Sequence, residues 1–135
     1  MPELQLQPTL DAIAVGLKVA RAMDVRCSIA VLDSGRNLLA FARGNEASLG
    51  TIELARNKAY TAASFRMKTS VLAGVSQPGQ PLYGLDVSGD GALVIFGGGV
   101  PIMLQDRSIG AVGVSGGTVE QDEQIADAVA AEFSR

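Results

Sequence analysis

The stretch from Gly91 to Gly117 reads GALVIFGGGVPIMLQDRSIGAVGVSGG and decides the fold. It contains three short apolar runs, which are Leu93–Phe96, Val100–Leu104 and Ile109–Val114. Short runs that are rich in Val and Ile and bounded by turn residues are typical of sequential antiparallel strands. The last run ends in Ser115-Gly116-Gly117 and continues directly into a predicted helix, so this stretch predicts a three-stranded meander followed by a helix.

The first third of the chain predicts a helix and a hairpin. Helical spacing of apolar residues predicts a helix from about Pro8 to Asp24. An alternating segment then runs to Asp33, and a turn at Ser34-Gly35 leads to a second strand over Asn37–Arg43. The apolar positions on the predicted helix are Leu10, Ile13, Ala14, Leu17 and Ala20.

The middle and the end of the chain predict further helices. One runs from about Ser48 to Phe65, and a short one begins at Thr69 or Ser70. The loop over 77–91 is long for a compact domain, which is typical of a functional segment or an oligomer contact. Thr118 and Gln121 form the capping-box pattern that begins the last helix.

This order of elements predicts an α+β fold. Residues 1–135 are expected to form a single domain, with an antiparallel sheet of about five strands and helices packed on it.

The composition excludes several classes of site. The chain has no histidine, so one copy cannot build a His–Ser or His–Cys catalytic pair or a zinc site with histidine ligands, and we predict no metal. The single cysteine, Cys27, excludes an internal disulfide and lies in an apolar pattern typical of a buried thiol. A net charge of −3 without a Lys/Arg cluster predicts no nucleic-acid partner.

The same sequence predicts no membrane partner. No apolar run approaches the ~20 residues of a membrane span. The N-terminus, MPELQLQPT, lacks the basic and apolar regions of a signal peptide. We therefore expect a cytoplasmic location.

Two polar residues lie on an otherwise apolar stripe of the second helix. Lys58 and Thr61 fall between Leu54 and Phe65 at helical spacing. Lys58 either extends along the apolar surface to water or lies in a cleft facing the sheet. In the second case, Lys58 and Thr61 are candidates for a functional site.

Three further positions each have a structural and a functional interpretation. Asp33 beside Ser34-Gly35 either stabilises the turn or acts as a general acid or base. Gly97, Gly98 and Gly99 either form a hairpin loop with positive φ or form a floor where a ligand meets the backbone. Arg43 either makes a surface ion pair or points toward the helix layer, where a bound carboxylate could pair with it.

The chain resembles the GlcG/HbpS family, also called the haem-degrading domain family. The residues that carry the resemblance are Ile29-Ala30-Val31-Leu32-Asp33 with Gly35, Arg43, Ala55, Lys58-Ala59-Tyr60-Thr61-Ala62, Thr69, Gly97-Gly98-Gly99-Val100-Pro101, the run Ile109–Gly117, and Glu120-Gln121-Asp122. The resemblance covers nearly the whole chain. It implies a profilin-like fold and assembly of identical chains into dimers to octamers.

Three hypotheses of function follow from this resemblance and these residues. The chain is a small-ligand binder associated with haem or another tetrapyrrole, an enzyme that acts on a small organic acid through Lys58 and Arg43, or a structural oligomer without chemistry. The resemblance makes haem a candidate cofactor, but the missing histidine predicts weak or absent specific binding. The remaining candidate axial ligands are Met23, Met67, Met103, Cys27, Tyr60 and Tyr83.

The junction of the last strand and the last helix predicts an anion-binding pocket. The N-terminus of a helix offers unpaired N–H groups, and Ser115-Gly116-Gly117 allows a ligand to approach them. Because the first turns of that helix carry acidic residues, Lys58 or Arg43 has to supply the positive charge. Thr61 or Ser115 would orient the small anionic ligand.

Overall fold

Four α-helices and four strands make up the part of the chain that the computed structural model describes, residues 3–134. Their order is α1 (Leu6–Ala22), β1 (Ser28–Asp33), β2 (Leu38–Arg43), α2 (Gly50–Phe65), α3 (Thr69–Val75), β3 (Gly99–Leu104), β4 (Arg107–Ser115) and α4 (Val119–Ala131), with a 3-10 turn at Leu85–Val87. Over these residues, no helix is both long enough and apolar enough to span a bilayer.

The strands form one antiparallel sheet in the order β2-β1-β4-β3. One face packs against α1 and α4 through side chains that alternate along the central strands, including Ile29, Val31, Val112 and Val114. The other face packs against α2, where Ala30 and Leu32 contact Ala55 and Ala59. The α+β class predicted from the order of elements is confirmed, and helices cover both faces of the sheet.

The predicted fifth strand, Leu93–Phe96, is wrong. This run is not part of the sheet, and the backbone N–H of Val94 donates instead to Oγ1 of Thr61 on α2, at 2.9 Å. The three glycines that follow do not reverse the chain, because the carbonyl of Gly98 accepts from the N–H of Val114 at 2.9 Å. They continue the line of β3 beside β4, so no hairpin precedes β3.

The buried face of helix α1 differs from the predicted one. Leu10, which was expected on that face, is 41% exposed, whereas Thr9 and Gly16 are buried. Gly16 permits close contact with α4, since a Cβ there would lie 2.5 Å from Cγ2 of Val129. The helix also begins and ends two residues earlier than expected. At the other end of the chain, the predicted capping box of Thr118 with Gln121 is confirmed.

Candidate functional site

Lys58 is the centre of the candidate site. It lies on α2 and is 1% exposed, so its ammonium group does not reach water. Nζ donates to the carbonyl of Val114 at 2.9 Å and to Oδ2 of Asp122 at 3.1 Å. The ring of Phe96 lies over the same ammonium group, with Nζ 5.1 Å from the ring centroid. Lys58 therefore faces inward.

Asp122 supplies the negative charge at the strand–helix junction. It belongs to the first turn of α4, and its side chain is 3% exposed. Its Oδ1 accepts from the backbone N–H of Gly117 at 2.8 Å, while its Oδ2 accepts from Lys58. A carboxylate of the chain itself thus occupies the position beside the helix N-terminus that the sequence assigned to a ligand.

Glycine at position 98 makes the Lys58–Asp122 contact possible. Helices α2 and α4 cover opposite faces of the sheet, so Lys58 has to pass the sheet to reach Asp122. A Cβ at Gly98 would lie 2.6 Å from Nζ of Lys58 and 2.6 Å from the carbonyl oxygen of Val114. Gly98 also has a φ of 127°, which other residues rarely adopt. The buried pair therefore requires this glycine.

Burial shifts the pKa of two groups in this region. Burial lowers the pKa of Lys58 below the ordinary lysine value, and the charge and hydrogen bond of Asp122 act in the opposite direction. Burial also raises the pKa of the Cys27 thiol to about 11, and the negative charge of Asp122 adds to this effect. Cys27 is therefore a protonated thiol near neutral pH, which makes it a poor nucleophile.

Several of the predicted ligand-binding residues instead make internal contacts. Thr61 accepts from the N–H of Val94, and Oγ1 of Thr69 accepts from the N–H of Gly99 at 2.9 Å. Gly116, with a φ of 148°, packs so closely against the backbone of Arg26 that a Cβ would overlap its carbonyl oxygen. These residues hold the loops against the sheet.

Two other predicted residues lie at the edges of the junction. Ser115 is buried and lies opposite Ser28 in the sheet, and the Ser28 hydroxyl is 2.8 Å from that of Thr51 on α2. Gly97 lies beside α4, where a Cβ would be 3.5 Å from Cβ of Val119. Gly97 itself is buried, whereas its apolar neighbours Phe96 and Val119 are exposed.

The structure does not bring the three predicted catalytic residues together. Arg43 is exposed and lines a depression of about 480 Å³ next to α1. Asp33 accepts from the backbone N–H groups of Gly35 and Asn37, both at 2.9 Å, which supports its turn-stabilising interpretation. Arg43 lies opposite Ser28, the first residue of β1, whereas Asp33 is the last residue of β1. About 17 Å of strand therefore separates Arg43 from Asp33. Lys58 is buried and contacts Val114, Asp122 and Phe96.

Asp122 and Phe96 are the residues that sequence reasoning missed. Asp122 shares one helical face with Ile125, Ala126 and Val129, all of which are buried. This periodicity could have identified it, because a carboxylate on a buried face needs a cationic partner. Phe96 is the last residue of the predicted strand Leu93–Phe96, and its 41% exposure depends on the irregular path of the chain before β3.

Among the candidate axial ligands for haem iron, Cys27, Met23 and Tyr60 are buried, packed or hydrogen-bonded, whereas Met67, Met103 and Tyr83 are exposed. Burial and the raised pKa remove Cys27 as a thiolate ligand, and the Tyr60 hydroxyl accepts from Arg36 at 3.0 Å. Met23 packs against the core, whereas Tyr83 is 68% exposed. Residues 3–134 also contain no group of three or more acidic or cysteine side chains arranged to hold a metal ion.

Comparison with known proteins gives a consistent set of similarities. The family model described as "Haem degrading protein HbpS-like" matches residues 4–131. The chain is 43% identical over 110 residues to the "Uncharacterized 15.0 kDa protein in dhaT-dhaS intergenic region" of Citrobacter freundii, covering 80% of this chain and 78% of that protein.

A corrinoid enzyme and a haem complex are also similar to this chain. The Salmonella typhimurium protein "Corrinoid adenosyltransferase PduO" is 38% identical over 107 residues, which cover 79% of this chain but 32% of PduO. The crystal structure of the PduOC:Heme complex superposes with a TM-score of 0.93 at 31% identity, covering 99% of this chain and 100% of that one.

Proposed function

This chain belongs to the HbpS-like family of haem-degrading proteins, and we propose that it binds a tetrapyrrole against an exposed aromatic surface. The surface consists of the side chains of Phe96 and Val119, on either side of the buried Gly97, and we call it the Phe96 surface. The observation that carries the proposal is the exposure of the Phe96 ring, 41%, beside Val119 at 40%. An exposed ring next to an exposed apolar side chain offers an apolar contact for a flat ligand.

The charges at the junction favour an uncharged ligand face over a small anion. Lys58 and Asp122 neutralise each other, and Asp122 also takes the N–H of Gly117. Thr118 and Gln121 satisfy each other's backbone donors in the capping box. Since these groups already have partners, the junction attracts an additional anion only weakly. Its exposed part is apolar, which suits the face of a macrocycle.

The names of the similar proteins support this class of ligand. Haem and corrinoids are both tetrapyrrole-type macrocycles, and they occur in the names of the PduOC complex and of PduO. Because this chain spans 32% of PduO, adenosyl transfer is not part of the proposal. The shared feature is a large flat ring.

We expect the ring face, and not the iron, to provide the affinity. The chain has no histidine, and Cys27 is a buried protonated thiol. An aromatic contact with Phe96 does not depend on a metal in the macrocycle. Iron-free and iron-containing porphyrins are therefore expected to bind with similar affinity.

A second copy of the chain is expected to complete the site. Three depressions, of about 590, 480 and 310 Å³, stand out in the described part of the chain, and neither Phe96 nor Val119 lines any of them. Ligand sites usually bury about 70–90% of a ligand, whereas one flat surface covers about half of a planar ring. Leu82, Tyr83 and Val87, which are 42%, 68% and 81% exposed, provide further apolar area for self-association.

The experiment compares hemin with protoporphyrin IX. Each macrocycle is titrated into the protein, and binding is followed by absorbance and by the change in mass in light scattering. Phe96→Ala and Phe96→Leu remove the ring, and Leu49→Ala is the matched control because Leu49 is 72% exposed on α2's N-terminal side. We expect Phe96→Ala to weaken both macrocycles about tenfold and Leu49→Ala to leave them unchanged.

Three results would reject the proposal. If hemin bound more than about tenfold tighter than protoporphyrin IX, ligation of iron would supply the affinity. If neither macrocycle bound, or if Leu49→Ala had the same effect as Phe96→Ala, the hypothesis of a structural oligomer without a ligand would be favoured. The enzyme hypothesis based on Lys58 and Arg43 stays a prediction. Lys58 is buried and paired with Asp122, whereas Arg43 is exposed.

A further inference from the structure

An arginine-lined depression lies at the end of the sheet opposite the Lys58 site. Its volume is about 590 Å³, within the usual range of small-molecule sites. Arg36 from the β1–β2 turn, Arg66 at the end of α2 and Arg107 at the start of β4 line it, together with Asp106 and Met103. We call it the arginine cleft.

The charge of the arginine cleft is unbalanced. Within residues 3–134, none of its three guanidinium groups forms an ion pair. Three positive charges against the one negative charge of Asp106 leave a local net charge of +2, whereas the whole chain carries −3. A concave site of one sign attracts ions of the opposite sign.

Arg36 is held in place before any ligand binds. Its Nη1 donates to the Tyr60 hydroxyl at 3.0 Å and to Oγ of Ser64 at 3.3 Å, and its guanidinium lies 4.8 Å from the Tyr60 ring centroid. Nη2 and Nε have no such partners among the described residues and can still donate to a carboxylate. A fixed guanidinium loses less conformational entropy on binding than a free one.

Ordinary structural roles do not explain all three arginines. The C-terminus of α2 favours one nearby cation, which accounts for Arg66. Arg36 and Arg66 also adopt left-handed backbone conformations, with φ values of 68° and 55°. Glycine or asparagine would be less strained at these two positions. Arg107 is the first residue of β4 and comes from a different connection.

We infer that the arginine cleft binds a small dicarboxylate, independently of the proposed tetrapyrrole site. Guanidinium groups bind carboxylates through two parallel hydrogen bonds, and three of them favour a ligand with more than one acidic group. Ala63 and the 40% exposed Met103 provide apolar contact for the short carbon chain between two carboxylates. The site is distinct from Lys58 and Arg43.

The test is isothermal titration calorimetry with succinate and glutarate at low ionic strength, where attraction between exposed charges is least screened. Acetate is the single-charge control, and inorganic phosphate tests the alternative anion. The variants are Arg36→Gln and Arg107→Gln. Arg56→Gln is the matched control, because it removes the same charge from an exposed arginine on α2 that lines none of the three depressions. Circular dichroism and the thermal midpoint verify that each variant is folded.

We expect saturable binding of at least one dicarboxylate, weakened about tenfold by Arg36→Gln and by Arg107→Gln, with Arg56→Gln within about twofold of the unchanged protein. The inference would be overturned by the absence of saturable binding, by equal losses in Arg56→Gln, or by acetate binding as tightly as the dicarboxylates. Tighter binding of phosphate than of both dicarboxylates would overturn the assignment to carboxylates.

Discussion

Replacing Lys58 with methionine removes the positive charge of the buried pair and keeps most of the side-chain volume. In the variant, Oδ2 of Asp122 loses the ammonium group 3.1 Å away, and the carbonyl of Val114 loses the donor at 2.9 Å. The N–H of Gly117 still donates to Oδ1 of Asp122. A carboxylate that is 3% exposed is then left without a counter-charge.

The size of the expected effect follows from this burial. Removing one partner of a buried ion pair typically costs about 3–5 kcal/mol, because the remaining charge stays in a medium of low polarity. Loss of the contact between Lys58 and the Phe96 ring adds about 0.5–1 kcal/mol. Since domains of this size are stable by about 5–15 kcal/mol, Lys58→Met should remain folded but lose a large part of its stability.

A double-mutant cycle in urea measures the coupling. The free energies of unfolding are compared for the unchanged protein, Lys58→Met, Asp122→Asn and the double variant, in which both charges are absent. The side-chain amide that Asp122→Asn introduces can still accept from the N–H of Gly117 through its oxygen, so the cycle isolates the charge pair. We expect the double variant to be more stable than Lys58→Met alone, with a coupling of at least about 2 kcal/mol.

Lys68→Met is the control for loss of a lysine in general. Lys68 pairs with Asp127 at 3.1 Å, but its side chain is 40% exposed, so its loss should cost less than about 1 kcal/mol. If Lys58→Met cost as little as Lys68→Met, and if the cycle were additive within about 0.5 kcal/mol, Lys58 would not form a buried pair in solution. The proposed neutrality of the junction would then fail as well.

Three further predictions concern residues packed around the junction and the sheet. Because burial raises the pKa of Cys27 to about 11, its thiol should be alkylated at least about 100-fold more slowly in the native protein than in the urea-unfolded protein near pH 8. Mass spectrometry measures both rates, and equal rates would contradict the burial of Cys27. Gly113→Ala should cost roughly 3 kcal/mol or more in urea unfolding, since its Cβ would overlap the carbonyl of Ala55, and a loss below about 1 kcal/mol would disprove this close helix–sheet contact. Thr61→Val should cost about 1–3 kcal/mol and speed amide exchange at Val94, whose N–H loses its acceptor, and unchanged exchange would refute the hydrogen bond.

Local signals explain which parts of the fold could be predicted from the sequence. The capping box at Thr118 depends on residues three apart, and the hairpin after β1 depends on a turn that Asp33 stabilises through its own neighbours. The fifth strand was wrong for the opposite reason. Leu93–Phe96 has the composition of a strand, but the partner of Val94 is a threonine side chain on a distant helix.

The candidate site could be predicted only in part, because its contacts join distant positions. The apolar stripe around Lys58 correctly indicated a lysine in an unusual place, but Asp122 lies 64 residues later in the chain. The arginine cleft had no signal at all in the sequence. Arg36, Arg66 and Arg107 come from three separate connections, and only the topology of the sheet brings them to one end.

The buried pair also bears on where a small acid can bind. An anion at the N-terminus of α4 would need the N–H of Gly117 and the ammonium group of Lys58, and Asp122 already uses both. Such a ligand would have to displace Asp122 and leave a second carboxylate in a site that is almost inaccessible to water, at a cost of several kcal/mol. The guanidinium groups of the arginine cleft carry no such competitor among the described residues. A measured affinity for organic acids is therefore expected to come from the arginine cleft. At the glycine-rich end of the sheet, the charges of Lys58 and Asp122 already pair with each other and join α2 to α4.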